Sequence, residues 1–216
     1  MNKKDNTQKA LNLWAIVLII WSLYRANLKL PEWFDEFIAK PLIFVLPVYY
    51  YISRIEKSRF FEGINWKIKS LKKDLLVGLG IGLIFFITVV AANSIKSGNL
   101  VFIKAVSPVF FGYILIISLA TAVSEEILSR GFVLKRLYQE SKNALTSSFY
   151  ASFLFLFLHI PSLFTTAKLN GYTIVFILLS DMVLSLVNSF LFLERRNLTA
   201  SILVHALYNV TIYLFI

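Results

Sequence analysis

The sequence predicts an all-α integral membrane protein, and three observations support this fold class. Of the 216 residues, 58% are hydrophobic and only 16% are charged, whereas soluble domains are usually near half apolar and a quarter charged. The apolar residues form runs of about 20, the length that an α-helix needs to cross a bilayer. Phe alone contributes 20 residues. We therefore expect a polytopic bundle of seven to eight transmembrane helices that forms one membrane domain over residues 1–216.

Seven apolar segments are candidate spans. The second contains Pro41 and Pro47, which lack the backbone N–H that a helix uses. The first shows no small-residue cleavage site, so we interpret it as a retained span rather than a signal peptide. The seven segments lie near residues 11–30, 37–53, 75–95, 105–124, 144–164, 172–193 and 198–216.

Two polar stretches separate the apolar segments. Residues 54–74 are rich in charge and predict a cytoplasmic loop or an interfacial helix, with Phe60, Phe61 and Trp66 as membrane anchors. Residues 127–143 predict a second polar connection that begins as a helix. We expect the fourth span to end just before this connection.

The distribution of Lys and Arg predicts the orientation. Cytoplasmic loops carry an excess of basic residues. With the N-terminus inside, sixteen of the 22 Lys and Arg residues fall in inner segments. We therefore expect a multi-pass protein of a cell membrane with a cytoplasmic N-terminus. The same topology accounts for the net charge of +10, and nucleic-acid binding, which would need a soluble basic module, is not expected.

Composition also limits the chemistry. The chain has no cysteine, which excludes disulfides, cysteine-based metal sites and cysteine nucleophiles. The abundance of Lys, Asn and Ile is typical of an AT-rich bacterium, so a bacterial origin is expected.

Ionisable residues inside predicted spans are the candidates for function, because a charge at membrane depth is costly and is seldom kept without a role. In the C-terminal half these residues are Glu125, Glu126, His159, Asp181 and His205. The two histidines are the only ones in the chain. Together with the carboxylates they predict one shared site, although a capping cluster or polar contacts between helices would also place such residues there.

The spacing of the carboxylates indicates two different roles. Glu126 and Arg130 are four residues apart, so they can form an ion pair on one helical face. Glu125 lies about 100° around the helix and does not share that partner. One carboxylate would then be neutralised, while the other can be desolvated and act as a general base. We expect both at the inner end of the fourth span, in a cavity open to the cytoplasm.

Two further pairs have the same four-residue spacing. His205 and Asn209 in HALYN can face one cavity, where imidazole and amide donors can hold an oxyanion. Helix–helix hydrogen bonding is the alternative role for this pair. Phe155 and His159 can stack side by side.

Asp181 lies two turns before Asn188. It can line the same cavity or pair with a basic group, and no firm role is predicted for it.

Three segments in chain order carry a resemblance to a known family. EEILSRGFV, FLFLH and HALYN match the EExxxR, FxxxH and HxxxN/B motifs of the CAAX protease and bacteriocin-processing family, also called the Abi family. The resemblance covers residues 105–216, whereas residues 1–104 match only in being membrane-spanning. Members of that family resemble intramembrane glutamate-dependent endopeptidases with an eight-helix core, and the seven spans counted here depart from that number.

The resemblance implies a role for each motif residue. Glu125 would activate a water together with His159, while His205 and Asn209 would stabilise the oxyanion. Glu126 and Arg130 would orient the site. The expected function is cleavage of a peptide or membrane-protein segment without a cofactor, with bacteriocin processing or self-immunity as the setting. Ligation of zinc by Glu125, His159 and His205 is a variant that the chain, which lacks HExxH, does not favour.

Two other functions are compatible with the same residues. A non-enzymatic immunity or partner-binding protein could keep the fold, although it would not require every motif residue. A transporter or proton relay would also use Glu, Asp and His at membrane depth. The transporter hypothesis predicts an internal repeat in the sequence, and the sequence shows none. The sequence does not predict an oligomeric state.

Overall fold

The helices follow the predicted order of spans. A computed structural model describes residues 3–67, 70–98, 106–165 and 171–215, and within these ranges no β-strand is present. The all-α fold class is therefore confirmed. The eight helices of the described residues are α1 (Lys3–Asn27), α2 (Glu32–Ile55), α3 (Phe60–Gly63), α4 (Leu71–Ser97), α5 (Pro108–Ser141), α6 (Ala144–Thr165), α7 (Gly171–Arg195) and α8 (Leu198–Phe215).

Six helices of the described chain, α1, α2, α4, α5, α6 and α7, are long and apolar enough to cross a membrane. The seventh predicted span is α8, a shorter apolar helix. The chain is thus a multi-pass membrane protein. The short helix α3 lies inside the predicted polar stretch 54–74. The boundary predicted at residues 104–105, together with Lys104 and Lys168, lies outside the described residues.

Helix α2 continues through both of its prolines. Pro41 begins a π-helical turn that ends at Val45, and Pro47 lies in the α-helical turn after it. A proline removes one hydrogen bond of the ladder, and local widening of the turns is a known way for a helix to accommodate that loss. The second predicted span is therefore one helix.

Residues 127–143 were predicted to form a polar connection, but most of them continue helix α5. The helix runs on to Ser141 through a π-helical segment, Ile127–Leu134. Its basic residues find partners in the neighbouring connection: Arg136 donates to a carboxylate oxygen of Glu56 at 2.6 Å, and Lys135 donates to two carbonyl oxygens of α3 at 2.9 and 2.8 Å. Because these charges are compensated, the helix does not end where the apolar run ends.

Helix α8, which carries His205, is packed closely against α4. A Cβ atom at Gly78 would lie 3.0 Å from the carbonyl oxygen of Ala200 and 3.0 Å from the Cβ of Leu203. One turn further on, a Cβ at Gly82 would lie 3.0 Å from the Cβ of Leu207. Small residues, glycine above all, allow helix backbones to approach this closely in membranes. The two glycines of α4 therefore fix the position of α8.

The bundle has two ends, which we name by the chain. The N-terminal face holds the start of α1 and the end of α5, where Thr7 donates to the carbonyl of Arg136 at 3.1 Å. The opposite face holds the end of α1, the start of α2 and the end of α8. There, Tyr213 of α8 donates to Glu32 of α2. The hydrogen bonds at both ends connect helices that are far apart in the chain.

Candidate active site

The carboxylate of Glu126 lies at the centre of the C-terminal helices. Its side chain is 0% exposed. Oε1 accepts hydrogen bonds from Arg130 Nη1 at 2.8 Å, from His205 Nδ1 at 2.9 Å and from Asn188 Nδ2 at 3.1 Å. These donors belong to α5, α8 and α7. One carboxylate oxygen therefore joins the three helices, and the predicted pair of Glu126 with Arg130 is present in the structure.

Arg130 extends this connection. Its Nη2 donates to the hydroxyl of Ser185 at 2.7 Å and to the carbonyl of the same residue at 3.1 Å. The guanidinium also lies over the ring of Phe155, 4.5 Å from its centroid. A charge buried this deeply is tolerated only when it is paired and hydrogen-bonded. The arrangement fixes α7 and α6 relative to α5.

Glu125, the neighbouring residue, faces the other way. Its Oε1 accepts a hydrogen bond from Lys40 Nζ at 2.8 Å. Its Oε2 lies 3.7 Å from Nε2 of His159 and 3.7 Å from Nε2 of His205. These distances are too long for direct hydrogen bonds, and among the described residues Oε2 has no hydrogen-bond partner. The structure thus brings Glu125, His159 and His205 together.

Hydrogen bonds on the far side of each ring orient the two histidines. Nδ1 of His159 donates to the carbonyl oxygen of Phe155 at 3.1 Å, one turn earlier in α6. Nδ1 of His205 donates to Glu126. A carbonyl or ionised carboxylate oxygen only accepts, so Nδ1 carries a proton in both rings. In the neutral form of each ring, Nε2 is therefore an acceptor that faces Glu125.

A cavity of about 570 Å³ extends from Glu125 to the opposite face of the bundle. Its wall contains Glu125, His159 and Asn209, whereas its outer part contains the exposed residues Leu30 and Tyr213. His205 is 2% exposed and lies behind this wall. Three of the four residues predicted to be catalytic therefore share one open cavity.

The side of the membrane on which this cavity opens stays a prediction. Glu125 and Glu126 were expected at the inner end of the fourth span, with the cavity open toward the side of the N-terminus. Because α5 continues to Ser141, the carboxylates lie near the middle of the helix. The cavity opens where α1 ends and α2 begins, which is the face opposite the N-terminus.

Lys40 is the residue of the cluster that the sequence reasoning missed. Its ammonium group bridges Glu125 and Glu36, at 2.8 and 2.7 Å. Glu125, which does not share the partner of Glu126, therefore has a basic partner of its own. Lys40 lies inside the second predicted span, so the rule that singles out ionisable residues in spans applied to it as well.

Other side chains from the N-terminal half complete the wall. The indole N–H of Trp21 donates to the carbonyl of Leu158 at 3.2 Å, one residue before His159. Arg25 and Tyr24 both donate to Asp35, which lines the cavity nearer its mouth. Helices α1 and α2 thus contribute polar groups as well as hydrophobic packing to the site.

Asp181 does not line this cavity. It is buried in α7 and accepts a hydrogen bond from Tyr208 at 3.1 Å, while Tyr208 also contacts Ser180 at 2.7 Å. Its neighbour in the predicted motif, Asn188, contacts Glu126 instead. In the described part of the chain, no group of three or more Asp, Glu, His or Cys side chains has an arrangement that could hold a metal ion.

Replacement of Glu126 by Gln is expected to destabilise the fold, because Arg130 would keep its charge without a carboxylate. Breaking a buried pair in this way costs about 3–5 kcal/mol. Thermal unfolding in detergent measures the effect, and Glu140→Gln, at an exposed position of the same helix, is the control. The double variant with Glu126→Leu and Arg130→Met should recover part of the loss. Unchanged stability in Glu126→Gln would contradict the central role of this carboxylate.

One of three comparisons with known proteins finds a match. Residues 107–211 match a family model described as type II CAAX prenyl endopeptidase Rce1-like. No curated protein and no solved structure matches the chain. The matched region contains all six motif residues, and the family implies a protease that is embedded in the membrane and acts on a peptide or protein. The resemblance found in the three motifs is thus confirmed, because residues 107–211 are similar to the Rce1-like type II CAAX prenyl endopeptidases.

Proposed function

We propose that this protein is an intramembrane endopeptidase that hydrolyses a peptide bond with a water activated by Glu125. One observation carries the proposal. Oε2 of Glu125 has no hydrogen-bond partner among the described residues and lies 3.7 Å from an imidazole nitrogen of each histidine, and Glu125 itself lines an open cavity. A carboxylate oxygen in such a position can bind a water and accept its proton.

Lys40 determines which oxygen of Glu125 acts as the base. Its ammonium group holds Oε1, so the proton of the water goes to Oε2. The positive charge also favours the ionised carboxylate that a general base requires. Lys40 itself stays compensated by Glu36 at 2.7 Å. We therefore assign Lys40 as a positioning residue.

The two histidines complete the water site. In the neutral form His159 presents a bare Nε2, which can accept the second proton of the water in a hydrogen bond. His205 is restrained by Glu126. It can donate to an oxyanion only when it is doubly protonated, because its Nδ1 proton is already engaged. The oxyanion role implied by the family resemblance therefore requires the imidazolium form of His205.

Asn209 is the candidate donor for the oxyanion that needs no change of protonation. It lines the cavity with Glu125 and His159, and an amide N–H can donate to a developing negative charge. Asn209 lies one helical turn after His205 in α8, so the two side chains share a helical face.

The reaction balances with these groups alone. The water oxygen attacks the scissile carbonyl carbon while Glu125 takes a proton, and the carbonyl oxygen becomes an oxyanion beside Asn209. When the C–N bond breaks, Glu125 returns the proton to the leaving amine. The products are a carboxylic acid and an amine, and transfer of the remaining water proton between them gives a carboxylate and an ammonium group. Glu126 and Arg130 do not touch the reacting atoms in this scheme, and they hold His205 and α5 in place.

The proposed substrate is a peptide or a segment of another membrane protein. A bacteriocin leader, a signalling peptide or an immunity partner would each present such a segment. A non-catalytic immunity protein with the same fold remains the second candidate, and the variants below separate the two functions.

Replacement of Glu125 by Gln should abolish cleavage, because an amide cannot accept the proton of the water. Removing a general base typically costs 10²–10⁴-fold in rate, so we expect a loss of about that size. The fold should survive, since Glu36 still compensates Lys40. The measurement is turnover of candidate peptides in detergent or vesicles, with the exposed Glu140→Gln as control. Full activity in Glu125→Gln would exclude the assigned base.

Replacement of Asn209 by Ala distinguishes catalysis from binding. An oxyanion donor acts on a charge that exists only near the transition state, so kcat should fall while substrate affinity stays nearly constant. Loss of one such donor typically costs about 10²–10³-fold. The comparison is kcat against Kd for the same peptide. If Asn209→Ala and Glu125→Gln both retain the cellular function at wild-type protein levels, the protein is a binder and the catalytic proposal fails.

Replacement of Lys40 by Met should lower kcat with little change in KM, because Lys40 contacts Glu125 and not the substrate in this scheme. A displaced catalytic group can cost about 10²-fold. Since Met also leaves Glu36 without its counter-ion, the stability of the variant must be measured beside its activity. Lys40→Arg keeps the charge and should retain more activity than Lys40→Met. Equal activity of the two variants would contradict the positioning role.

A further inference from the structure

A buried group of polar side chains on α7 and α8 lies apart from the reacting groups of the proposed mechanism. We propose that Asp181 is a protonated carboxylic acid that donates to Tyr208, and that this bond fixes the rotation of α8 so that Asn209 faces the cavity. Asp181 and Tyr208 are thereby positioning residues. The consequence for catalysis rests on the function proposed for Asn209, whereas the proton on Asp181 does not.

Asp181 is buried without a counter-ion. It lies in the apolar span Ile177–Arg195 of α7 and is 5% exposed. In the part of the chain that the structure describes, no Lys, Arg or His side chain forms an ion pair with it. Arg130, which reaches α7, donates to Glu126 and Ser185 instead. A lone carboxylate at membrane depth is unfavourable, and a buried group in this position takes up a proton instead.

The charged groups around Asp181 do not replace a counter-ion. Glu125 of α5, His159 of α6 and His205 of α8 interact with it electrostatically. Glu125 repels an ionised Asp181. The two rings would attract it only as imidazolium, and both already face Glu125 at 3.7 Å. The surroundings therefore favour the neutral acid.

The hydrogen bonds of this group need a third proton. Oγ of Ser180 lies 2.9 Å from the carbonyl oxygen of Ile177 and 2.7 Å from the hydroxyl of Tyr208. The same hydroxyl lies 3.1 Å from Oδ1 of Asp181. A carbonyl oxygen only accepts, so Ser180 donates to Ile177 and Tyr208 donates to Ser180. The proton of the remaining bond then comes from Asp181.

An ionised Asp181 leaves the same contacts short of a proton. It would accept from Tyr208, and Ser180 would then have to share one hydroxyl proton between Tyr208 and the carbonyl of Ile177. Two hydroxyl protons would serve three contacts. With a protonated Asp181, each contact has a proton of its own. The hydrogen-bond geometry thus agrees with the missing counter-ion.

Tyr208 connects this acid to the face of α8 that lines the cavity. It is buried, three residues after His205 and one before Asn209. Consecutive residues of a helix point about 100° apart, so the direction of Tyr208 sets the direction of Asn209. Phe85 of α4 packs edge-on against the ring of Tyr208, with the centroids 5.8 Å apart. Contacts from α7 and α4 therefore restrain the rotation of α8.

Infrared difference spectroscopy tests the proton on Asp181. The carbonyl stretch of a protonated carboxylic acid is separate from the stretches of a carboxylate. At neutral pH we expect this band in the wild type and its loss in Asp181→Asn. The control is Asp5→Asn, at an exposed position where Asp5 pairs with Lys9, and it should leave the band in place. No difference in this band between the wild type and Asp181→Asn would overturn the proposal.

The reactivity of a thiol at position 209 tests the rotation of α8 without any substrate. The chain has no cysteine, so Asn209→Cys introduces a single thiol, at a position that lines the cavity. Adding Tyr208→Phe or Asp181→Leu should slow its reaction with a small maleimide several-fold. Adding Asp181→Asn should leave the rate unchanged, because its amide still donates to Tyr208. Equal rates in all four proteins would overturn the positioning role.

Turnover measures the consequence for the proposed reaction. Tyr208→Phe should lower kcat by up to about 10²-fold at constant KM, since a displaced catalytic group can lose that much. Asp181→Asn should keep the wild-type kcat. A wild-type kcat in Tyr208→Phe would overturn the link to catalysis. If the wild type cleaves no peptide, the protease function fails, while the infrared band and the thiol rates still decide the proton on Asp181 and the rotation of α8.

Discussion

The buried carboxylate of Glu126 is the interaction on which the arrangement of the C-terminal helices depends. An isolated charge at membrane depth is unfavourable by several kcal/mol, so the helices must supply it with a counter-ion and donors. Arg130 supplies the charge, and Asn188 and His205 supply further hydrogen bonds from α7 and α8. Since each donor must stay within hydrogen-bonding distance, the three helices are held at a fixed separation.

The position of the candidate catalytic group follows from that constraint. Consecutive residues of a helix point about 100° apart. With Glu126 turned into the bundle, Glu125 must face the cavity. His205 spans both carboxylates, bound to Glu126 through Nδ1 and facing Glu125 through Nε2. A single ring thereby couples the structural centre of the protein to the proposed water site.

The N-terminal half has a larger part in the site than its lack of motifs suggests. Lys40 of α2 neutralises Glu125, and Trp21 of α1 binds the turn that holds His159. Both residues lie outside the region that matches the family model. We infer that residues of α1 and α2 would adjust the proposed reaction, whose central groups would come from α5, α6 and α8. Differences between related proteins in substrate choice are then expected in these first two helices.

The sequence by itself determined the features that depend on local spacing. The lengths of the apolar runs predicted the spans, and the four-residue spacing of Glu126 and Arg130 predicted their pair, because both follow from the geometry of one helix. Lys40 and Glu125 are 85 residues apart, and no local pattern relates them. The extension of α5 to Ser141 was equally hidden, since Arg136 needs Glu56, from the connection after α2, to compensate its charge. These features depend on which distant charges meet inside the bundle, and so does the face on which the cavity opens. Only the packing of the helices therefore determines them.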